Sequence, residues 1–132
     1  MSLVLLDTTF LIDAEREQND LDAVLDDEDD VAVAAITVAE LLVGVELASA
    51  SHREPRSAFV DDLISSLSVI PYDLSIAQEH ARLLAAVRRA GRPRRAHDLV
   101  IAATARATKR AVVTADPSAF DDLPGVEVHS HR

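Results

Sequence analysis

Four acids in this 132-residue chain stand where a carboxylate is costly to place. Asp7 ends the apolar run "LVLL" at 3–6, and Asp116 closely follows "VVT" at 112–114. Glu40 lies in "ITVAELLVGVELA", with Ile36, Val43, Gly44 and Leu47 at helical spacings around it. Asp98 lies in "AHDLVIAATA", with Ile101, Ala102 and Ala105 in the same relation. A buried carboxylate without a partner is strongly disfavoured, and carboxylates brought together repel one another unless a cation holds them. The chain has no cysteine, and hard oxygen ligands select Mg²⁺ or Mn²⁺ over zinc. A divalent cation so held activates water and steadies charge on a phosphate. The chemistry these residues point to is hydrolysis of a phosphate ester.

Each acid also has an ordinary helix-terminal reading. Asp7 suits the N-cap of a helix starting near Thr8. Glu40 suits a capping box with Thr37. Asp98 in a first helical turn is favoured by the helix dipole, and Asp116 before Pro117 is a cap with proline at N1. Capping alone does not explain why all four would collect at one edge of one sheet.

The elements that must position these acids follow from hydrophobic spacing. Continuous apolar runs predict strands at 3–6, 31–35, within "SVIPY" and at 111–114, with "PGVEVHS" as a last edge strand. Helical spacing covers 8–18, a short segment at 20–27, and a stretch from Thr37 to about Ala50. It resumes at 56–67 after a "SHREP" linker, at 75–90 before Gly91 and Pro93, and at 96–109. The acidic "DDEDD" at 26–30 reads as a solvated break. Short buried strands alternating with helices imply a sheet covered on both faces. The expected architecture is one α/β domain over 1–132, a three-layer α/β/α sandwich around a mostly parallel sheet. Such folds place their sites at the carboxyl ends of the strands, where Asp7 and Asp116 fall.

Composition narrows the function further. Aromatic residues are only 3%, which argues against a base-stacking platform. A net charge of -10 excludes a general binder of the phosphate backbone, but not an enzyme that meets phosphates through metal ions. The N-terminus lacks a basic segment and Asp7 interrupts its apolar run, so no signal peptide is expected. Glu40 and Glu46 interrupt the most apolar stretch, so no membrane span is expected either, and a cytoplasmic location follows as an expectation.

Taken in order, "LLDTTFLID", "ITVAELLVGVELA", "GRPRRAHDLVIAATARA" and "VVTADPSAFDDLPGVEV" resemble the successive motifs of PIN-domain ribonucleases. The likeness is to the VapC-type toxins of type II toxin–antitoxin pairs, and it spans nearly the whole chain. It implies a metal-dependent endoribonuclease that hydrolyses RNA phosphodiester bonds. Asp7, Glu40, Asp98 and Asp116 would be its catalytic, Mg²⁺- or Mn²⁺-binding acids, with Thr8 and Thr114 as supporting hydroxyls. It also implies a homodimer, and a small antitoxin whose C-terminal segment covers the acidic site. One position departs from the pattern: many relatives carry a further Asp before the Phe of the last motif, and here that residue is Ala119.

The dense basic run Arg88, Arg89, Arg92, Arg94 and Arg95 has two compatible readings. It is a set of cations at a helix end, and it is a local guide for RNA phosphates, with Arg92, Arg94 and Arg95 as RNA contacts. His97 is one helical step, about 100°, from Asp98, so a ligand role is not expected. Asp13 reads as a surface acid, and His129 and His131 as solvated tail residues. Two other functions compete. A non-catalytic PIN-like interaction domain is disfavoured by the presence of all four acids. An acidic-pocket phosphatase or receiver domain is disfavoured because the first strand leads into Asp7-Thr8-Thr9 rather than Asp-x-Asp. In addition, the only lysine, Lys109, precedes the strand at 111–114 instead of ending it.

Overall fold

A computed structural model describes residues 2–17 and 28–130. Five strands, β1 (Leu3–Leu6), β2 (Asp30–Ala34), β3 (Ser68–Ile70), β4 (Ala111–Thr114) and β5 (Val128–Ser130), form one sheet in the order β3-β2-β1-β4-β5. Every neighbouring pair is parallel. The described helices are α1 (Thr8–Arg16), α2 (Ala35–Glu46), α3 (Ala50–Ser66), α4 (Leu74–Ala90) and α5 (Ala96–Thr108), with a 3-10 turn at Pro117–Ala119. The expected short helix at 20–27 lies outside the described residues.

The alternation of the strands builds two cores. Leu5, Ala32, Ala34 and Val112 face α4 and α5 and pack with Ile76, Leu83, Leu99 and Ile101. Leu6 and Val33 face the other way and pack with Phe10, Leu11 and Leu63 of α1 and α3. This is the expected three-layer architecture, and it explains why β1 is apolar throughout: its interior residues are buried on both faces of a central strand. Among the described residues, no helix is long and apolar enough to cross a membrane.

Three boundaries around α2 and α3 differ from the sequence reading. First, α2 begins at Ala35 with Ala34 as its cap residue, so Thr37 is already inside the helix and no capping box forms with Glu40. The chain turns directly from strand to helix, and backbone continuity overrides the local cap signal. Second, α2 stops at Glu46 rather than near Ala50. Third, "SHREP" is not a linker: it lies within α3, and Pro55 sits inside that helix. Proline removes one backbone donor, and the packing of Val60 and Leu63 carries the helix through it.

Candidate active site

Asp7 is delivered by β1 and anchored by β4, its backbone N–H donating to Val113 O at 3.1 Å. It is 2% exposed and is the N-cap of α1, accepting from Phe10 N at 2.9 Å. Thr9 Oγ1 donates to both carboxylate oxygens, at 2.9 and 3.0 Å, and Thr114 Oγ1 donates to Oδ2 at 2.5 Å. The capping reading is therefore realised, by a side chain that also lines an open cleft. Each hydroxyl has one proton to give and lone pairs to spare. Thr9 Oγ1 accepts from Ala115 N at 3.3 Å, and Thr114 Oγ1 accepts from Asp116 N at 2.9 Å. The two threonines thus tie the loop after β4 to the Asp7 carboxylate.

Glu40 reaches the same place from α2. Thr8 Oγ1 donates to Glu40 Oε1 at 2.9 Å and lies 3.2 Å from the buried Thr37 Oγ1. His97 Nδ1 stands 3.5 Å from Glu40 Oε2. The apolar stripe expected around Glu40 is not core: Val43 is 55% and Leu47 82% exposed. Asp98 sits in the first turn of α5, half-buried beside the fully buried Ile101 and Ala102. Asp116 is exposed at the head of the 3-10 turn, where Ser118 Oγ donates to its Oδ1 at 2.6 Å.

An open cleft of about 440 Å³ is lined by Asp7, Thr8, Thr9, Glu40, Arg95, His97 and Asp98 among others. Asp116 lies beside it, and electrostatics link all four acids. Burial pushes the Asp7 carboxyl above its ordinary range, against the hydrogen bonds from Thr114, Phe10 and Thr9, and the Asp116 charge adds to the rise. Burial also raises Asp98. Arg95 opposes that rise, and Asp7, Glu40 and Asp116 reinforce it.

Whether these residues suit a cation can be judged from the donors. Among the described residues, no three His, Asp or Glu side chains converge on one ion position. The donors are nonetheless all hard carboxylate oxygens in mutual repulsion, with Arg95 the one cation that lowers Asp98. Mg²⁺ keeps several waters and takes only one or two carboxylates directly, so the donor set fits such an ion.

The structure brings the expected Asp7, Glu40, Asp98 and Thr8 to one cleft, with Thr114 bonded to Asp7, and adds three neighbours that had not been given a place in it. Thr9 was visible only as part of the "LLDTTFLID" motif, and Thr37 only as a cap candidate beside Glu40. His97 was turned away from Asp98 by helical geometry, and that same rotation aims it at Glu40 on another helix. The basic run also divides. Arg94 donates to the carbonyls of Ser118, Ala119 and Asp121, so it holds the turn after β4 and does not stand free for RNA, contrary to the expectation. Arg92 pairs with Asp122 at 3.2 Å. Arg95 alone of the three lines the cleft.

Residues 4–126 match the family model described as "PIN domain". The chain is 31% identical over 125 residues to ribonuclease VapC5 of Mycobacterium tuberculosis, covering 93% of this chain and 91% of that protein. It is 32% identical over 98 residues to the tRNA(fMet)-specific endonuclease VapC of Salmonella typhimurium, covering 74% and 73%. Its fold superposes with a TM-score of 0.81 on VapBC-5 of Mycobacterium tuberculosis, a member of the VapBC family of toxin–antitoxin systems. That match has 31% identity and covers 99% of this chain and 100% of the other.

Proposed function

This chain belongs to the PIN-domain family and is a VapC-type ribonuclease toxin of a toxin–antitoxin system, and we propose that it cuts RNA by metal-dependent hydrolysis at the cleft formed by Asp7, Glu40 and Asp98 with Asp116 beside it. The observation that carries this reading is the electrostatic one. Asp98 is raised by burial and by three other acids, Asp7, Glu40 and Asp116, delivered from different elements. A bound Mg²⁺ or Mn²⁺ would supply Lewis-acid stabilisation of the phosphate and a nucleophilic water at neutral pH.

The chain's own residues do the rest. Asp7 is fixed by Thr9, Thr114 and the Phe10 amide, so its orientation does not depend on the ligand. Thr8 holds one oxygen of Glu40 and leaves the other directed toward His97 and the cleft. Arg95 offers a positive charge at the mouth for the RNA backbone, which the net charge of -10 would otherwise repel. The protein works in the cytoplasm. It pairs with a small antitoxin whose C-terminal segment covers the acids, and the exposed Val43 and Leu47 of α2 offer apolar surface to a protein partner or to a second copy in a homodimer.

The test is cleavage of total RNA by purified wild type and Asp7→Asn in Mg²⁺, Mn²⁺ and EDTA. Wild type is expected to cut only with metal, and Asp7→Asn to lose about 100-fold or more of that activity, at least what loss of a supporting residue costs a metal site. Cleavage that persists undiminished in EDTA would overturn the metal mechanism.

A further inference from the structure

A second cavity, of about 160 Å³, lies between α1, α2 and α3, and Ile12 and Glu40 line both it and the acidic cleft. Whatever fills this slot while RNA occupies the cleft must therefore be adjacent to the reacting phosphate. We propose that the slot holds one unstacked nucleobase of the RNA substrate, next to the bond that is cut. The proposal rests on the ribonuclease reading of the neighbouring acids.

Three observations support it. The first is the wall. Of the chain's four aromatic residues, Phe10 and Phe120 are buried in the core and Tyr72 is engaged with His80. Phe59 is only partly buried and lines the slot, together with Leu41 and Val60. Single-stranded RNA is recognised by splaying bases onto such apolar and aromatic faces and bonding their edges. The second is the rim. Arg56 Nη1 donates to Gly44 O at 3.3 Å, and its Nε stands 3.7 Å from Glu15 Oε1, so the slot carries a donor and an acceptor side by side. Both side chains are partly exposed and keep donors and acceptors beyond these contacts, enough to meet the mixed edge of a base. The third is Gly44. Glycine inside a helix is destabilising relative to alanine, and its usual reason is close approach of another group. Here a Cβ at Gly44 would meet nothing within 4 Å. What the missing side chain does is leave the slot open.

The test is pre-turnover binding of the full chain in Mg²⁺, by fluorescence anisotropy, to the tightest-binding heptamer from a random single-stranded RNA pool. Variants of that heptamer each lack one base. For wild type, removing the base at one position is expected to weaken binding about tenfold, within the range of base–aromatic stacking. Gly44→Leu, which fills the slot, and Phe59→Leu, which removes the aromatic face, should weaken the intact heptamer by a similar factor and become indifferent to that base. Gly44→Ala, which adds one methyl group, should melt at a higher temperature than wild type, which shows that the α2 backbone tolerates substitution there. A flat base scan in wild type, or an unchanged scan in Gly44→Leu, overturns the proposal. So does a result in which the slot variants leave the RNA scan unchanged and weaken only an antitoxin C-terminal peptide, since the occupant is then protein. Cleavage of the same heptamer is measured separately, and its absence alongside a position-dependent scan would count against the ribonuclease reading, not against the slot.

Discussion

Asp7 shows how one residue serves two purposes. It caps α1, and it is also a carboxylate pushed up by burial and held by donors from three directions. Thr9 is the most economical of those donors. It spans both Asp7 oxygens and accepts the Ala115 amide, which joins the start of α1 to the loop that carries Asp116. Thr9→Val keeps the shape and removes the hydroxyl. It is expected to lower cleavage and Mn²⁺ affinity about 10- to 100-fold, as loss of an outer-shell partner does, while Thr9→Ser retains most of both. Calorimetric titration with Mn²⁺ checks this independently of turnover. Equal behaviour of the Val and Ser variants would show that the hydroxyl does not matter.

At the level of elements, the site is an assembly of ends. β1 runs into Asp7, β4 ends at Thr114, and α5 starts with Ala96, His97 and Asp98 behind its cap residue Arg95. The segment before α5 contains two arginines with different duties. Arg94 bonds three carbonyls of the turn after β4. Arg95 faces the cleft. Arg94→Ala is expected to cost about 1.5–3 kcal/mol of stability, the range for hydrogen bonds to a charged group, with little change in the salt dependence of RNA binding. Arg95→Ala removes the cation that opposes the repulsion at Asp98, so it is expected to lower the melting temperature slightly at neutral pH without metal, and to reduce the magnitude of the salt slope by about 0.7, the value of one single-strand phosphate contact. Denaturant unfolding and binding at several salt concentrations separate the two. The same turn contains Ala119, whose carbonyl accepts from Arg94 at 3.0 Å. Backbone anchoring there does not require a carboxylate at that position.

For the molecule as a whole, the clustered acids make stability depend on pH and on metal. Asp7 and Asp98 have folded-state pKa values raised above the ordinary aspartate range, by burial first. The folded state therefore binds protons more readily than the unfolded chain. The resulting stabilisation is complete below the unfolded pKa and is lost as pH rises through the raised folded values. In EDTA, the melting temperature is expected to fall across that window. Asp98→Asn, which removes one of the repelling charges, should flatten the fall and melt higher than wild type at neutral pH, yet gain less on addition of Mg²⁺. Thermal unfolding of both proteins across pH, with and without metal, checks the sign. An Asp98→Asn protein that melts lower in EDTA at neutral pH would show that the acids do not strain one another.

Hydrophobic period alone determined the alternating strands and helices, because a run such as Leu3–Leu6 is stable only between two covered faces. It also determined that Asp7 follows a buried strand, and the order of the four motifs made the family legible before any coordinates. The start of α2 and the reach of α3 through Pro55 were decided by packing, since Val60, Leu63 and the direct β2-to-α2 turn outweigh the local signals of Thr37 and proline. Tertiary structure alone decided which groups meet. Helical geometry gave the direction of His97 relative to Asp98 but could not show that Glu40 lay in that direction. The pairing of Thr9 with Ala115 spans 106 positions, and that of Arg94 with Ala119 spans 25. Contacts of that kind arise only when the sheet aligns the ends of separate strands, and no window along the chain contains them.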